Sequence, residues 1–324
     1  MNEIDGIYTT DVISFIKWRL TEACNYKCSY CIRRIIRGRS KDNYAFQDLS
    51  QLQRDWERCK IALPHVNRII EEFPGKTAKI DMLGGEVTLL PLAELIEGLS
   101  PKVVHINITT NLSASVPYFK ELIEACEKRK ISLYITASFH YESATLDTYV
   151  AKMKVLNTYI SDYFHIKGEI VSLKENQYLV QQFIEAMENN NLPYHVDIDK
   201  KNFTDTLLCK SSILKKDVIR IVDAEGREQY FKSKGEAIRT IWGEHEKAAH
   251  TRGMYCTPGY HYIYIEKNNV MGRVATNNYS TCKQFVPIQY YHPIKQPLPC
   301  RQEKCSLCGH FSLSRDINKL LRED

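Results

Sequence analysis

Three cysteines in the spacing CxxxCxxC, Cys24, Cys28 and Cys31, constrain this chain more than any other feature. Three thiolates on one short loop can face the same side of an iron–sulfur cube, and cysteine thiolates are the usual ligands of such clusters. A [4Fe–4S] cluster has four irons, so three cysteines leave one iron open to an exogenous ligand. A structural zinc wants four protein ligands, and neither Cys nor His lies between Cys31 and Cys59. A zinc that borrows a distant ligand is the competing reading.

The setting of these cysteines matters as much as their spacing. The chain has 324 residues and 11 cysteines. It starts Met1-Asn2-Glu3-Ile4-Asp5, without the basic and then apolar layout of a signal peptide. No apolar run approaches the length of a membrane-spanning helix. A cytoplasmic location with no membrane partner is expected. Thiols stay reduced there, so clustered cysteines point to metal or redox chemistry over disulfides. Cys59, Cys126 and Cys209 stand apart; Cys126 shares an apolar helical face with Leu122 and Ile123, and buried, inert thiols are expected. The net charge of +5 is mild. It admits an acidic substrate and gives no reason to expect a nucleic-acid partner.

The rest of the chain alternates strand and helix patterns. Strands are expected over 15–20, 78–83, 103–109, 132–137, 165–172 and 194–198. Helices are expected over 47–61, 63–73, 92–99, 118–130, 144–157 and 177–189, with Gly75 stopping the second, Pro91 opening the third and Ser143 capping the fifth. Such alternation implies an α/β fold with a parallel sheet. Six units fall short of a closed eight-fold barrel, and a partial, TIM-like (β/α)6 barrel is preferred to a flat doubly wound sheet. Residues 209–234 read as irregular and Lys-rich, and 235–247 as a helix. A hairpin follows over 260–265 and 270–275, with a turn at Asn268-Asn269. A boundary near residue 245 divides a core domain, 1–245, from a small cysteine-rich domain, 246–324.

The CxxxCxxC loop directly after the first strand has an aromatic, Tyr30, just before its last cysteine. Gly84-Gly85-Glu86 follows the second strand. Together and in this order, these features resemble the radical S-adenosylmethionine (SAM) superfamily over roughly residues 15 to 200. The resemblance implies that Cys24, Cys28 and Cys31 hold a [4Fe–4S] cluster whose open iron binds SAM. It implies reductive cleavage of SAM to methionine and a 5′-deoxyadenosyl radical, which abstracts a hydrogen atom from substrate. Gly84 and Gly85, lacking Cβ atoms, would let backbone approach the methionine moiety; Glu86 would accept from its amino group or stabilise the loop. Where the family often has Pro after the Glu, this chain has Val87. Asn111 and Ser138, at the third and fourth strand ends, are candidate SAM contacts, or else turn and cap residues. His140 and Glu169 are candidate catalytic groups facing the barrel interior. Arg33, Arg34, Arg37 and Arg39 form a solvated basic face, or attract an acidic substrate or an electron donor.

Five more cysteines, Cys256, Cys282, Cys300, Cys305 and Cys308, surround the hairpin and close the chain. Four thiolates saturate a [4Fe–4S] cluster or a tetrahedral zinc. The layout resembles the SPASM/twitch extensions of radical SAM enzymes, which hold auxiliary iron–sulfur clusters. There are too few cysteines for two such clusters, and one twitch-like cluster fits best. Cys256, Cys282, Cys305 and Cys308 are the preferred ligands and Cys300 the spare. The alternative is that Cys300, Cys305 and Cys308 all ligate and either Cys256 or Cys282 does not. A structural zinc is the competitor, and His292 and His310 are the histidines within reach of a mixed site.

The expected activity is a net oxidation or rearrangement of a small-molecule or sugar-like substrate, assisted by the auxiliary cluster. Modification of a ribosomally made peptide by thioether formation, carbon–carbon cross-linking or epimerisation is the alternative; residues 1–14 are too short for a leader-binding domain. A one-electron reductant such as flavodoxin or ferredoxin is the implied partner. A non-catalytic iron–sulfur carrier or zinc-stabilised binding protein would explain the cysteines but not Gly84-Gly85-Glu86.

Overall fold

The structure, a computed structural model, describes residues 13–31, 49–198, 219–222, 228–231, 255–256, 259–260, 262–271, 285–295, 298–299 and 313–314. Cys209, Cys282, Cys300, Cys305, Cys308, His310, the four arginines after Cys31 and the expected helix at 235–247 lie outside them.

The core alternates as expected: β1 (Ile13–Arg19), α1 (Leu49–Glu72), β2 (Thr77–Leu83), α2 (Leu92–Glu97), β3 (Val103–Thr110), α3 (Val116–Arg129), β4 (Ser132–Phe139), α4 (Leu146–Asn157), β5 (Phe164–Ser172), α5 (Gln177–Asn189) and β6 (Tyr194–Ile198). All six strands are parallel and lie in sequential order. A doubly wound sheet reverses direction at a switch point; this one does not. Right-handed crossovers all run the same way, so the helices fall on one face.

Burial records that one-sidedness. Along β2, Ala78, Ile80 and Met82 are buried and alternate with half-buried Lys79 and Asp81. Ile16, Ile80, Ile106, Leu133 and Ile166 join Val66 and Ile69 of α1, Phe119 and Leu122 of α3, Met153 of α4 and Phe183 of α5 in one core. Each such side chain contributes about 1.5–3 kcal/mol. The opposite face carries a polar row, Lys17, Asp81, Asn107, Tyr134 and His165, in successive register on β1 to β5.

Several expectations need correction. The two helices expected at 47–61 and 63–73 are one helix through Pro64. Cys59, Ala62, Val66, Ile69 and Ile70 form one buried stripe across the proline. Pro64 sits on the exposed side, where the carbonyl it leaves unpaired meets water. The cap of α4 is Thr145, which accepts from the Thr148 N–H; Ser143 and Ala144 instead donate their N–H groups to the His140 carbonyl. Within the stretch read as irregular, β7 (Ile219–Val222) and β8 (Glu228–Phe231) pair antiparallel. The β-branched run Ile219-Arg220-Ile221-Val222 is a strand signal that the surrounding lysines obscured.

β9 (Tyr255–Cys256) precedes the hairpin, which forms from β10 (Tyr262–Glu266) and β11 (Asn269–Met271). Lys267 and Asn268 make its two-residue turn, both with positive φ. β10 pairs parallel with β1, and β12 (Phe285–Pro287) pairs with β11, so the hairpin extends the main sheet to nine strands. That places it on the core sheet, although a line at residue 245 separates the two in sequence. β13 (Leu298–Pro299) and β14 (Leu313–Ser314) flank β9 in a second sheet. Residues 288–292 dock on α1, where Arg68 donates to the carbonyls of Ile288 and Tyr291 at 3.1 and 2.7 Å. His292 binds Glu72 of α1 at 2.8 Å.

Candidate functional site

In a parallel sheet the carboxyl ends of all strands share one edge, and ligand sites gather there. The cysteine loop leaves β1 at that edge, Gly84-Gly85-Glu86 leaves β2, Asn111 follows β3, and His140 follows β4.

The first half of the cysteine loop continues the β1–β2 pairing. The Leu20 N–H donates to the Leu83 carbonyl at 2.8 Å, Gly85 N–H to the Thr21 carbonyl at 3.0 Å, and Glu86 N–H to the Ala23 carbonyl at 2.7 Å. These contacts explain the glycine. A Cβ on Gly85 would lie 2.2 Å from the Ala23 carbonyl oxygen and 2.6 Å from that of Glu22. The close approach that requires glycine is therefore made to the cysteine loop. From the helix side, the fully buried Asp55 accepts from the Thr21 hydroxyl at 2.6 Å and Gln51 Nε2 at 2.7 Å, and pairs with Arg58.

Glu86 resolves toward loop stabilisation. Its carboxylate is 1% exposed. Oε1 accepts from the Thr88 N–H at 3.0 Å, the Thr88 hydroxyl at 2.5 Å and the Thr110 hydroxyl at 2.8 Å; Oε2 accepts from the Asn111 N–H at 2.6 Å. Burial pushes its pKa up, and these donors oppose the shift. Asn111 passes the connection on: its Nδ2 donates to Asn25 Oδ1 at 2.7 Å and approaches Cys24 Sγ at 3.9 Å. The next residue, Leu112, has φ of 60°, and Lys152 Nζ holds this turn through the carbonyls of Leu112 and Ala114 at 2.8 and 2.7 Å.

The second half of the loop is held from β4. Glu142 accepts from the Ser29 N–H at 2.6 Å and the Ser29 hydroxyl at 2.5 Å. The Tyr30 hydroxyl lies 3.0 Å from His140 Nδ1, and the Tyr30 ring stacks on Tyr141. Burial pushes the His140 pKa down to about 4. At neutral pH its ring is therefore uncharged, and the Tyr30 hydroxyl it meets also hydrogen-bonds with the Cys28 thiol.

Cys24 and Cys31 are half-exposed and Cys28 is buried. Burial, reinforced by the nearby Cys24 and Cys31, pushes the Cys28 thiol up to about 12. The Cys28 thiol thus resists ionisation unless a cation joins it, and a bound metal reverses that balance. The Tyr26 N–H also points at Cys24 Sγ, at 3.4 Å. This donor set fits a cluster with Cys24, Cys28 and Cys31 as ligands. No three His, Cys, Asp or Glu side chains among the described residues converge as around a single ion. A cube places each thiolate on a different iron and does not require such convergence.

On the helix-free face, the Ser138 hydroxyl meets Glu169 Oε1 at 3.4 Å, in register across β4 and β5, with His195 next on β6. Below them His105, Tyr134 and His165 stack at 4.4 Å spacing, and Asn107 bridges Asp81 and His105 at 2.6 and 2.7 Å. Thus Tyr30, Gly84, Gly85, Glu86, Asn111 and His140 surround the cysteines, while Ser138 and Glu169 stand together on the polar face. Sequence reasoning missed Asp55, Ser29 and Glu142, single polar residues with no spacing pattern to mark them. Cys59 and Cys126 are buried in the core, as expected of isolated thiols.

Cys256 lies in β9, opposite Leu298 of β13 on one side and Leu313 of β14 on the other. The chain between those two partners carries Cys300, Cys305 and Cys308. That segment therefore begins and ends beside Cys256.

No protein-family model matches this chain, and no curated protein matches it. Among solved structures, the crystal structure of Streptococcus suis SuiB matches at 16% sequence identity with a TM-score of 0.38. The match covers 62% of this chain and 42% of that one, less than half of its length. No helix among the described residues is long and apolar enough to cross a membrane.

Proposed function

We propose that this chain is a radical SAM enzyme whose SAM-cleaving [4Fe–4S] cluster sits on Cys24, Cys28 and Cys31. The observation that carries the reading is the Gly84-Gly85-Glu86 turn seated on the cysteine loop, through Gly85 on Thr21 and Glu86 on Ala23. Two motifs far apart in sequence form one structure at the carboxyl edge of a parallel sheet. Bound there, the cluster would supply an open iron for SAM and the electron that cleaves it to methionine and a 5′-deoxyadenosyl radical.

The chain's own residues supply position and seclusion. Glu86 fixes the turn, and Asn111 links that turn to Cys24 and Asn25. His140 holds Tyr30 beside Cys31 and is assigned that role ahead of proton transfer. Ser138 and Glu169 are assigned to the edge of the substrate or SAM site. The polar helix-free face favours a hydrophilic substrate, a small molecule or sugar-like compound, for a net oxidation or rearrangement.

A second cluster is proposed on four of Cys256, Cys282, Cys300, Cys305 and Cys308, supported by the register that brackets Cys256. It would take up or relay an electron from the substrate radical. A flavodoxin or ferredoxin is the proposed reductant, in the cytoplasm.

Anaerobic purification and reconstitution, with iron, sulfide and SAM cleavage measured after dithionite reduction, tests these assignments. About eight irons per chain are expected, falling to about four in Cys28→Ala and in Cys305→Ala. 5′-Deoxyadenosine should form only while Cys28 is intact. About four irons plus one zinc would make the second site structural. No SAM cleavage by loaded protein, with candidate substrates present, would sink the radical SAM reading.

A further inference from the structure

Two of the attachments of the cysteine loop follow from the strand ends. Thr21 and Ala23 extend the β1–β2 pairing, and Asn111 reaches Cys24 from the end of β3. A further attachment belongs to neither motif. Glu142, three residues beyond β4, accepts both the N–H and the hydroxyl of Ser29, at 2.6 and 2.5 Å. Ser29 directly follows Cys28 and stands two residues before Cys31. A carboxylate that takes two bonds from one residue fixes that residue's backbone and side chain together. The adjoining His140 and Tyr141 hold Tyr30 by a hydrogen bond and a ring stack. Both residues between Cys28 and Cys31 are thus gripped by the same three-residue segment.

We propose that Glu142 is a positioning residue for the iron-binding loop. Through Ser29 it sets the placement of Cys28 relative to Cys31, and its charge beside the loop keeps the cluster's reduction potential low. The assignment rests on the cluster reading above. An anion near a cluster disfavours the added electron, because net charge and hydrogen bonding set cluster potentials. Glu142 is exposed, so this effect weakens as salt rises.

Two variants separate grip from charge. Glu142→Gln keeps an oxygen for the Ser29 N–H and an amide for the Ser29 hydroxyl, but removes the charge. Glu142→Ala removes both. In iron-free protein, amide exchange at Ser29 should accelerate about tenfold in Glu142→Ala and stay near the wild-type rate in Glu142→Gln. In iron-loaded protein, the midpoint potential should rise in both variants, more at low salt than at high salt. Unchanged Ser29 exchange in Glu142→Ala would overturn the grip, and unchanged potentials in both variants would overturn the role of the charge. If wild type takes up no iron while Glu142→Ala still frees Ser29, the cluster reading fails and the grip stands.

Discussion

The two cysteine regions of this chain rest on different foundations. The loop with Cys24, Cys28 and Cys31 hangs from seven-residue strands and is tied by the backbone of the β2 turn and by side chains from α1, the residue after β3 and the segment after β4. Cys256 stands on a two-residue strand whose partners β13 and β14 are equally short. Strands so short bury little, and a small sheet needs an apolar face or another support to persist. The comparison teaches a division of labour. On the proposed reading, the first site is shaped by the fold before a cluster binds, whereas at the second the proposed ligands would supply part of the folding free energy.

The largest expected effect sets one region against the other. Cys305→Ala, or chelation, should make the segments around β9, β13 and β14 much more sensitive to limited proteolysis, while β10 to β12 stay protected on the core sheet. Metal binding at structural sites is worth about 10 kcal/mol or more at neutral pH, so its loss overwhelms two-residue strands. Cys28→Ala should leave proteolysis of the core at the wild-type rate. Equal sensitivity in the two variants would break the comparison.

Gly85→Ala attacks the preformed side. The new methyl would meet backbone oxygens, which cannot rotate away as a side chain can. A cost above the roughly 3 kcal/mol usual for overpacking is expected, with uptake of about four fewer irons per chain. A melting point close to wild type and full iron content would show that Gly85 is merely a convenient turn residue.

How much of this was legible beforehand follows from the kind of signal each residue sends. The six core strands announce themselves because burial on the helix side repeats every second residue, as in Ala78, Ile80 and Met82. The cysteines and Gly84-Gly85-Glu86 announce themselves by spacing. Asp55 and Glu142 do neither. Each is one carboxylate whose partner lies 34 or 113 residues away, and only the fold brings the pair together. The split of α1 into two helices erred in the opposite sense, because a continuous buried stripe carries one helix through Pro64.

A smaller effect sharpens the account of the loop through pH. His140 titrates near 6.5 when unfolded and at about 4 when folded, because burial penalises the imidazolium. As pH falls, the unfolded chain binds the proton first. The stability contribution is therefore complete above pH 6.5 and lost between 6.5 and 4, by about 3 kcal/mol in all. Urea unfolding of iron-free protein at pH 7.5 and 4.5 measures it. His140→Gln should flatten the difference, and the same loss in both proteins would place the acid sensitivity elsewhere.

The smallest expected effect concerns Ser138, and its smallness makes it informative. Its hydroxyl makes a long bond of 3.4 Å to Glu169, a carboxylate that is itself only half-buried. Removing it should cost no more than about 1 kcal/mol of stability, since an alanine methyl fits the same space and Glu169 keeps access to water. Thermal unfolding of Ser138→Ala should therefore nearly overlay wild type. If Ser138 serves only as strand packing, SAM cleavage should be equally indifferent. If the Ser138–Glu169 pair borders the SAM or substrate site, the yield of 5′-deoxyadenosine should fall about tenfold while stability barely moves. A tenfold loss corresponds to about 1.4 kcal/mol in the transition state, more than the hydroxyl contributes to folding. Unequal losses in stability and activity would distinguish a residue kept for function from one kept for structure.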